Sequence, residues 1–220
     1  MIYNLEELRK AYNAGNTFKF VFFWGHTPPK DGSVDKSCFS QWWMCPFKVE
    51  GTEYSCAEQF MMAEKARLFG DDEMLESILK AKHPKEMKAY GRAVQNFDKE
   101  IWDKECYGIV KRASLAKFSQ NPMLGEYLKS TKNRILVEAS PRDRIWGIGM
   151  GQSNPDESTL SWRKTGGYDS NLLFQPLSLP VAYSMFPVGA AHEYCPRPRP
   201  VYRHAVSNVR ISLSRIASNR

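Results

Sequence analysis

Apolar residues recur at helical spacing through much of the first 130 positions of this 220-residue chain, and two short runs read instead as strands. Leu5, Leu8 and Tyr12 predict a short amphipathic helix over residues 3–13 with those three side chains inward. The aromatic, β-branched run 18–24, FKFVFFW, predicts a buried strand. A polar loop from Gly25 to Lys36 follows, and then FKVEGTEY, which predicts a hairpin turning at Glu50-Gly51. The hairpin delivers the chain into SCAEQFMMAEKARLF, residues 55–69, the stretch around which the rest is organised. Ser55 and Glu58 fit a capping box at its start, Met61, Met62, Ala66 and Phe69 mark an apolar face, and Gly70 ends it. Met74, Leu75, Ile78 and Leu79 predict the next helix, ended by His83-Pro84. Met87, Tyr90, Ala93, Val94 and Phe97 predict another. A longer helix spans about 99–119, and a shorter one continues past Asn121-Pro122. Residues 135–138, ILVE, predict a second buried strand, and the loop ASPRDRIWGIGMGQSNPD follows.

Beyond about Glu157 the pattern fails. Proline is frequent without a repeat, and PRPRP favours extended polyproline II. The sequence therefore predicts a compact, predominantly helical α+β domain over residues 1–162, with a few short strands. Residues 163–220 read as a divergent, basic, partly disordered tail.

Charge sharpens that division. Residues 157–220 carry eight Lys/Arg against three Asp/Glu, so +5 of the net +7 lies in the tail and +2 in the rest. The domain lacks the basic footprint of a nucleic-acid binder, and the tail alone could attach to an acidic surface without specificity. No apolar run is long enough for a transmembrane helix, and the N-terminus lacks the apolar core of a signal peptide. Five scattered cysteines, with no C-x-x-C pair, predict reduced thiols, no zinc site and a cytoplasmic protein.

Three features could carry chemistry. One is Glu58 at a helix start, with Lys65 two turns on along roughly the same face. Another is the strand-to-loop exit EASPRDRIWGIGMG, with Glu138, Asp143 and Trp146. Its glycines at 147, 149 and 151 let backbone approach a ligand and offer N–H groups to a phosphate. The third is the polar loop between Trp24 and Trp42. Read singly, Glu58 is a cap, Asp143 a surface charge between two arginines and Trp146 a core residue.

Read together they resemble a known family. YSCAEQFMMAEKA (54–66), Gly91-Arg92, Trp102, Lys117-Phe118 and LVEASPRDRIWGIG (136–149) stand in the order of the NADAR family, the YbiA-like N-glycosidases associated with NAD and ADP-ribose metabolism. The resemblance covers about residues 18–156 and implies a compact, mostly helical α+β domain. It implies hydrolysis of a ribosyl C1′–N bond, as in phosphoribosylamino-pyrimidine intermediates of riboflavin biosynthesis or in ADP-ribosylated guanine. By position, Glu58 and Asp143 become the two catalytic carboxylates. Trp146, Lys65, Arg92, Glu138, Gly147 and Gly149 become substrate-binding residues, with Lys65 and Arg92 toward a phosphate. Arg92 is equally readable as a buried ion-pair partner, and Trp102 and Phe118 as core. The resemblance implies no cofactor and no metal. It implies a small ribosyl or nucleotide-like substrate, with ADP-ribosylated nucleic acid as a further candidate partner, and no membrane. Two departures stand out. Ser40-Gln41-Trp42 replaces an S-N-F-like segment after a long insertion, and the family's W-x-G-x-N-x-L-G closing segment gives way to SWRKTGGYDSNLLF, as a shifted reading frame would produce. A non-catalytic ADP-ribose-binding module and an inactive, truncated relative are the alternative readings.

Overall fold

The structure, a computed structural model, describes residues 5–141 and Gly147. In chain order it contains α1 (Leu5–Asn13), β1 (Phe20–Phe23), a single 3-10 turn (Lys36–Phe39), β2 (Phe47–Val49) and β3 (Thr52–Tyr54). Then follow α2 (Ala57–Phe69), α3 (Asp72–Lys80), α4 (Pro84–Ala93), α5 (Lys99–Gln120), α6 (Pro122–Ser130) and β4 (Ile135–Glu138). The fold is α+β and predominantly helical. The boundary expected at residues 162–163, and the tail beyond it, lie outside the described residues.

The strands form two separate pairs. β1 and β4 are parallel, with Phe20 opposite Ile135 and Phe23 opposite Glu138. Parallel partners need a long crossover, here almost the whole described chain, and their C-terminal ends share one edge. The loop after Phe23 and the loop after Glu138 therefore leave the sheet side by side. β2 and β3 form the expected hairpin, with Phe47 opposite Tyr54. Its turn residues Glu50 and Gly51 both have positive φ, 50° and 80°, as a tight two-residue hairpin turn requires.

Helix α2 is the core of the domain and packs on α3, α4, α5 and β3. Residues 57–63 are buried without interruption, so the one-sided apolar stripe expected here is replaced by burial all round for nearly two turns. α4 crosses α2 so closely that a Cβ on Gly91 would fall 2.0 Å from Met62 Sδ, which leaves glycine as the residue that fits. The Glu64 carboxylate bridges Arg67 at 2.8 Å and Arg112 of α5 at 2.5 Å, and Arg67 also donates to the Tyr54 hydroxyl at 2.9 Å. A second apolar cluster joins Phe23, Phe39 and Trp43 to Phe118, Leu124, Leu128 and Leu136, under the parallel pair. Phe118 is core, as expected, and Trp102 packs at the edge of the first cluster.

Some local expectations fail for identifiable reasons. His83-Pro84 starts α4 rather than merely ending α3: His83 Nδ1 accepts from Lys85 N at 3.1 Å and Pro84 takes the first turn, where its missing N–H costs nothing. Phe97 lies beyond α4, after a left-handed turn at Asn96, and its ring packs edge-on against Phe69 at 5.3 Å. Leu8 is inward, but Tyr12 is exposed, because α1 presents only a narrow face to the rest of the domain.

Candidate active site

The start of α2 departs from the capping box. The N-cap is Cys56, not Ser55, and its side chain makes no cap hydrogen bond. The residue three positions on is then Gln59, and its Oε1 reaches back to Ser55 N at 2.7 Å and Ser55 Oγ at 3.0 Å. The same amide donates to the carbonyls of Ile78 and Leu79, tying the start of α2 to the end of α3. A one-residue shift of frame thus gives Gln59 the bond to Ser55 that the spacing assigns to Glu58. Glu58 sits in the first turn, only 2% exposed. A carboxylate there is favoured by the positive end of the helix dipole.

The segment Ser40–Cys45 is clasped against this helix start. Glu58 N donates to Gln41 O at 3.0 Å, and Cys45 N donates to Ser55 O at 2.9 Å, on either side of the β2–β3 hairpin. On the other side, Lys117 of α5 reaches Ser40 O with its Nζ at 2.7 Å. Lys117 is 1% exposed, and burial pushes its ammonium below the usual lysine range, while the nearby Cys45, Cys38 and Cys56 act the other way. Two elements, α2 and α5, therefore hold the Ser40–Gln41 backbone beside Glu58. Lys117 is the residue whose part in this arrangement the sequence reading missed. The signal was available: it lies four and seven residues after Ala113 and Val110, on the apolar stripe of α5.

The other expected site residues fall in three groups. Glu138 ends β4, half-buried, opposite Phe23. Gly147 is buried. Asp143, Trp146 and Gly149 lie outside the described residues. Lys65 and Arg92 belong to the α2–α4 contact instead. Lys65 Nζ donates to Gly91 O at 2.7 Å and lies 4.1 Å from the Phe97 ring centroid and 5.7 Å from that of Trp102. Desolvation lowers its pKa. Arg92 is exposed, so it is not a buried ion-pair partner.

The thiols near Glu58 are poor nucleophiles. Burial pushes Cys56 up to about 11 and Cys38 up to about 12, and Cys56 Sγ packs 3.6 Å from Met87 Sδ. The chemistry open to this site is that of a buried carboxylate.

The NADAR domain matches residues 22–173. The chain belongs to the NADAR domain family. The match runs beyond the change of character near Glu157 and takes in Trp162 and Asn171–Leu173. An N-glycosidase of Acanthamoeba polyphaga mimivirus is 45% identical over 139 residues, 61% of this chain and 80% of that protein. The N-glycosidase YbiA of Escherichia coli is 30% identical over 119 residues, 54% of this chain and 71% of that protein. The chloroplastic riboflavin biosynthesis protein PYRR of Zea mays is 37% identical over 81 residues, 35% of this chain and 13% of that protein. The NMR structure of E. coli YbiA shares the NADAR fold seen here, with a TM-score of 0.55 at 22% identity, over 80% of this chain and 92% of that one. No helix among the described residues of this NADAR domain is long and apolar enough to cross a membrane.

Proposed function

We propose that this chain is an N-glycosidase, a hydrolase that cleaves the bond between C1′ of a ribosyl group and a nitrogen. The family relatives named N-glycosidases support the reaction class. The observation that carries the site is the burial of Glu58 in the first turn of α2, with its backbone N–H held by the Gln41 carbonyl.

The bond breaks with its electron pair passing to the leaving nitrogen, which takes up a proton. Positive charge builds on C1′ and the ring oxygen, and water then adds to C1′ and gives up a proton. Two carboxyl groups suit these demands. Asp143 stabilises the developing cation or deprotonates the water, and Glu58 holds the ribose or serves the leaving nitrogen. Trp146 stacks on the base, while Glu138, Gly147 and Gly149 line the ribosyl site at the end of the parallel strand pair. The substrate is a phosphoribosylamino-pyrimidine of the riboflavin type or an ADP-ribosylated guanine. The first is favoured by the similarity to the riboflavin biosynthesis protein of Zea mays.

The test uses the full chain with each substrate in turn, following release of ribose 5-phosphate or ADP-ribose by chromatography. Glu58→Gln and Asp143→Asn serve as controls. Release that both variants lose supports the mechanism and names the substrate. Release unchanged in Asp143→Asn removes that residue from the chemistry. Binding without release, in a folded protein, leaves a ribosyl-binding module in place of an enzyme.

A further inference from the structure

Trp42 follows directly on Gln41, the residue that Glu58 holds. Around its half-buried indole the fold gathers three basic groups from separate parts of the chain. His26, from the loop leaving β1, lies 5.4 Å from the Trp42 ring centroid. His83, at the start of α4, meets Trp42 edge-on at 6.4 Å. Lys88, one turn further along α4, places its Nζ 5.7 Å over the indole. Among the described residues none of the three pairs with a carboxylate within ion-pair distance. The nearest acid on α4, Glu86, turns its carboxylate to the Lys82 backbone N–H at 3.3 Å, and Lys82 and Lys85 add further positive charge to that helix start. Burial and, after it, the neighbouring His83 lower the basicity of His26.

Gathering like charges on an aromatic floor is unfavourable by itself, and a bound anion reverses the sign of that interaction. The position fits the chemistry of the reaction. The cluster is one residue from the backbone that Glu58 holds, and its His26 comes from the loop that leaves β1 at the edge where Glu138 ends β4. The two lysine and arginine anchors expected from sequence do not serve as well, because Lys65 is engaged by Gly91 O and the Phe97 face.

We infer that Trp42, His26, His83 and Lys88 form the subsite for the phosphate on the 5′-oxygen of the substrate's ribose. This rests on the ribosyl-hydrolase reading above. The subsite holds the phosphate by charge-assisted hydrogen bonds from Lys88 and a protonated His26 and by the Nε2–H of His83, whose Nδ1 stays the acceptor of the Lys85 N–H, with the indole as its wall. It makes the enzyme selective for ribose bearing a 5′-phosphate group over free ribose. A phosphate monoester and the diphosphate of ADP-ribose share this chemistry, and the two extend differently past Trp42.

The chain has four histidines, His26, His83, His192 and His204, so their ring C2–H proton signals are separable by NMR. The full chain is titrated with ribose 5-phosphate, ADP-ribose and ribose, with no turnover required. The expected result is that a phosphate-bearing ligand shifts the His26 and His83 signals and raises the apparent pKa of His26, while ribose does not. Lys88→Gln should weaken the phosphate-bearing ligands about tenfold and leave ribose unaffected. The stronger binder of the two phosphate compounds identifies the substrate arm. Unmoved His26 and His83 signals under a ligand that does perturb other resonances overturn the subsite. So does a Lys88→Gln enzyme with unchanged KM for a phosphorylated substrate and changed KM for none. If the histidine shifts appear and no substrate is cleaved, the subsite stands and the hydrolase reading fails.

Discussion

The helix starts of this domain divide into two kinds. At α3, α4 and α5 a side chain caps the helix: Asp71 accepts from Met74 N, His83 from Lys85 N, and Asp98 from Glu100 N and Ile101 N. At α6 the N-cap Asn121 makes no side-chain cap bond, and at α2 neither does the N-cap Cys56. Its place is taken by Gln59 and by a main-chain bond from Glu58 N to Gln41 O. At α3 and α5 the capping carboxylates serve helix stability. The α2 start buries its carboxylate in the first turn. Such an arrangement is worse for a free-standing helix and better for a reactive site, and it is tolerated because α2 is held by packing on every side.

Substitutions at the two kinds of start should separate activity from stability. Glu58→Gln preserves shape and removes the charge. Turnover should fall by about 10²–10⁴-fold, the range for a positioned acid or base, with the thermal midpoint unchanged or raised. A rate near the parent's would put α2 in the same class as the others. Asp71→Asn should do the reverse. Asp71 also accepts from Gln95 N at 2.8 Å, so one carboxylate joins the starts of α3 and the 94–97 turn. The variant should unfold at lower urea while keeping the parent's rate per folded molecule. Those two bonds hold the Asp71 carboxyl below the usual carboxylate range. The folded state then binds fewer protons than the unfolded one. Its stabilisation is complete above the unfolded pKa of about 3.9 and is lost as the pH falls through the lower folded value. Urea midpoints measured from pH 6 down to pH 2 should converge for Asp71→Asn and the parent at the acid end. The smallest effect is expected from Asp98→Ala, an exposed cap at the start of a 22-residue helix. It should cost about 1 kcal/mol in denaturant unfolding and nothing in turnover.

Much of the fold was legible in the residues themselves. The hairpin turn at Glu50-Gly51, the strand at 135–138 and the long helix ended by Asn121-Pro122 all stand where local chemistry put them. Turn residues, β-branched runs and proline act over a few positions, and no distant contact overrode them here. Two misreadings at α2 had one cause. The capping box at Ser55–Glu58 and the one-sided face of α2 were inferred from spacing along a lone helix, whereas α2 is enclosed by its neighbours. The site was legible in its residue types but not in its partners. Glu58 was singled out, while the phosphate role assigned by position to Lys65 meets an ammonium already engaged by the Gly91 carbonyl and the Phe97 ring.

By itself, then, the sequence determined the elements and their order, because each depends on neighbours within a turn or a hairpin. Only the tertiary structure decided which side chains meet. Lys117 lies 77 residues from the Ser40 carbonyl it holds. His26, Trp42, His83 and Lys88 gather from three separate segments. Contacts across such separations are fixed by how the helices pack around α2 and by the parallel register of β1 with β4, and no local pattern in the chain encodes them.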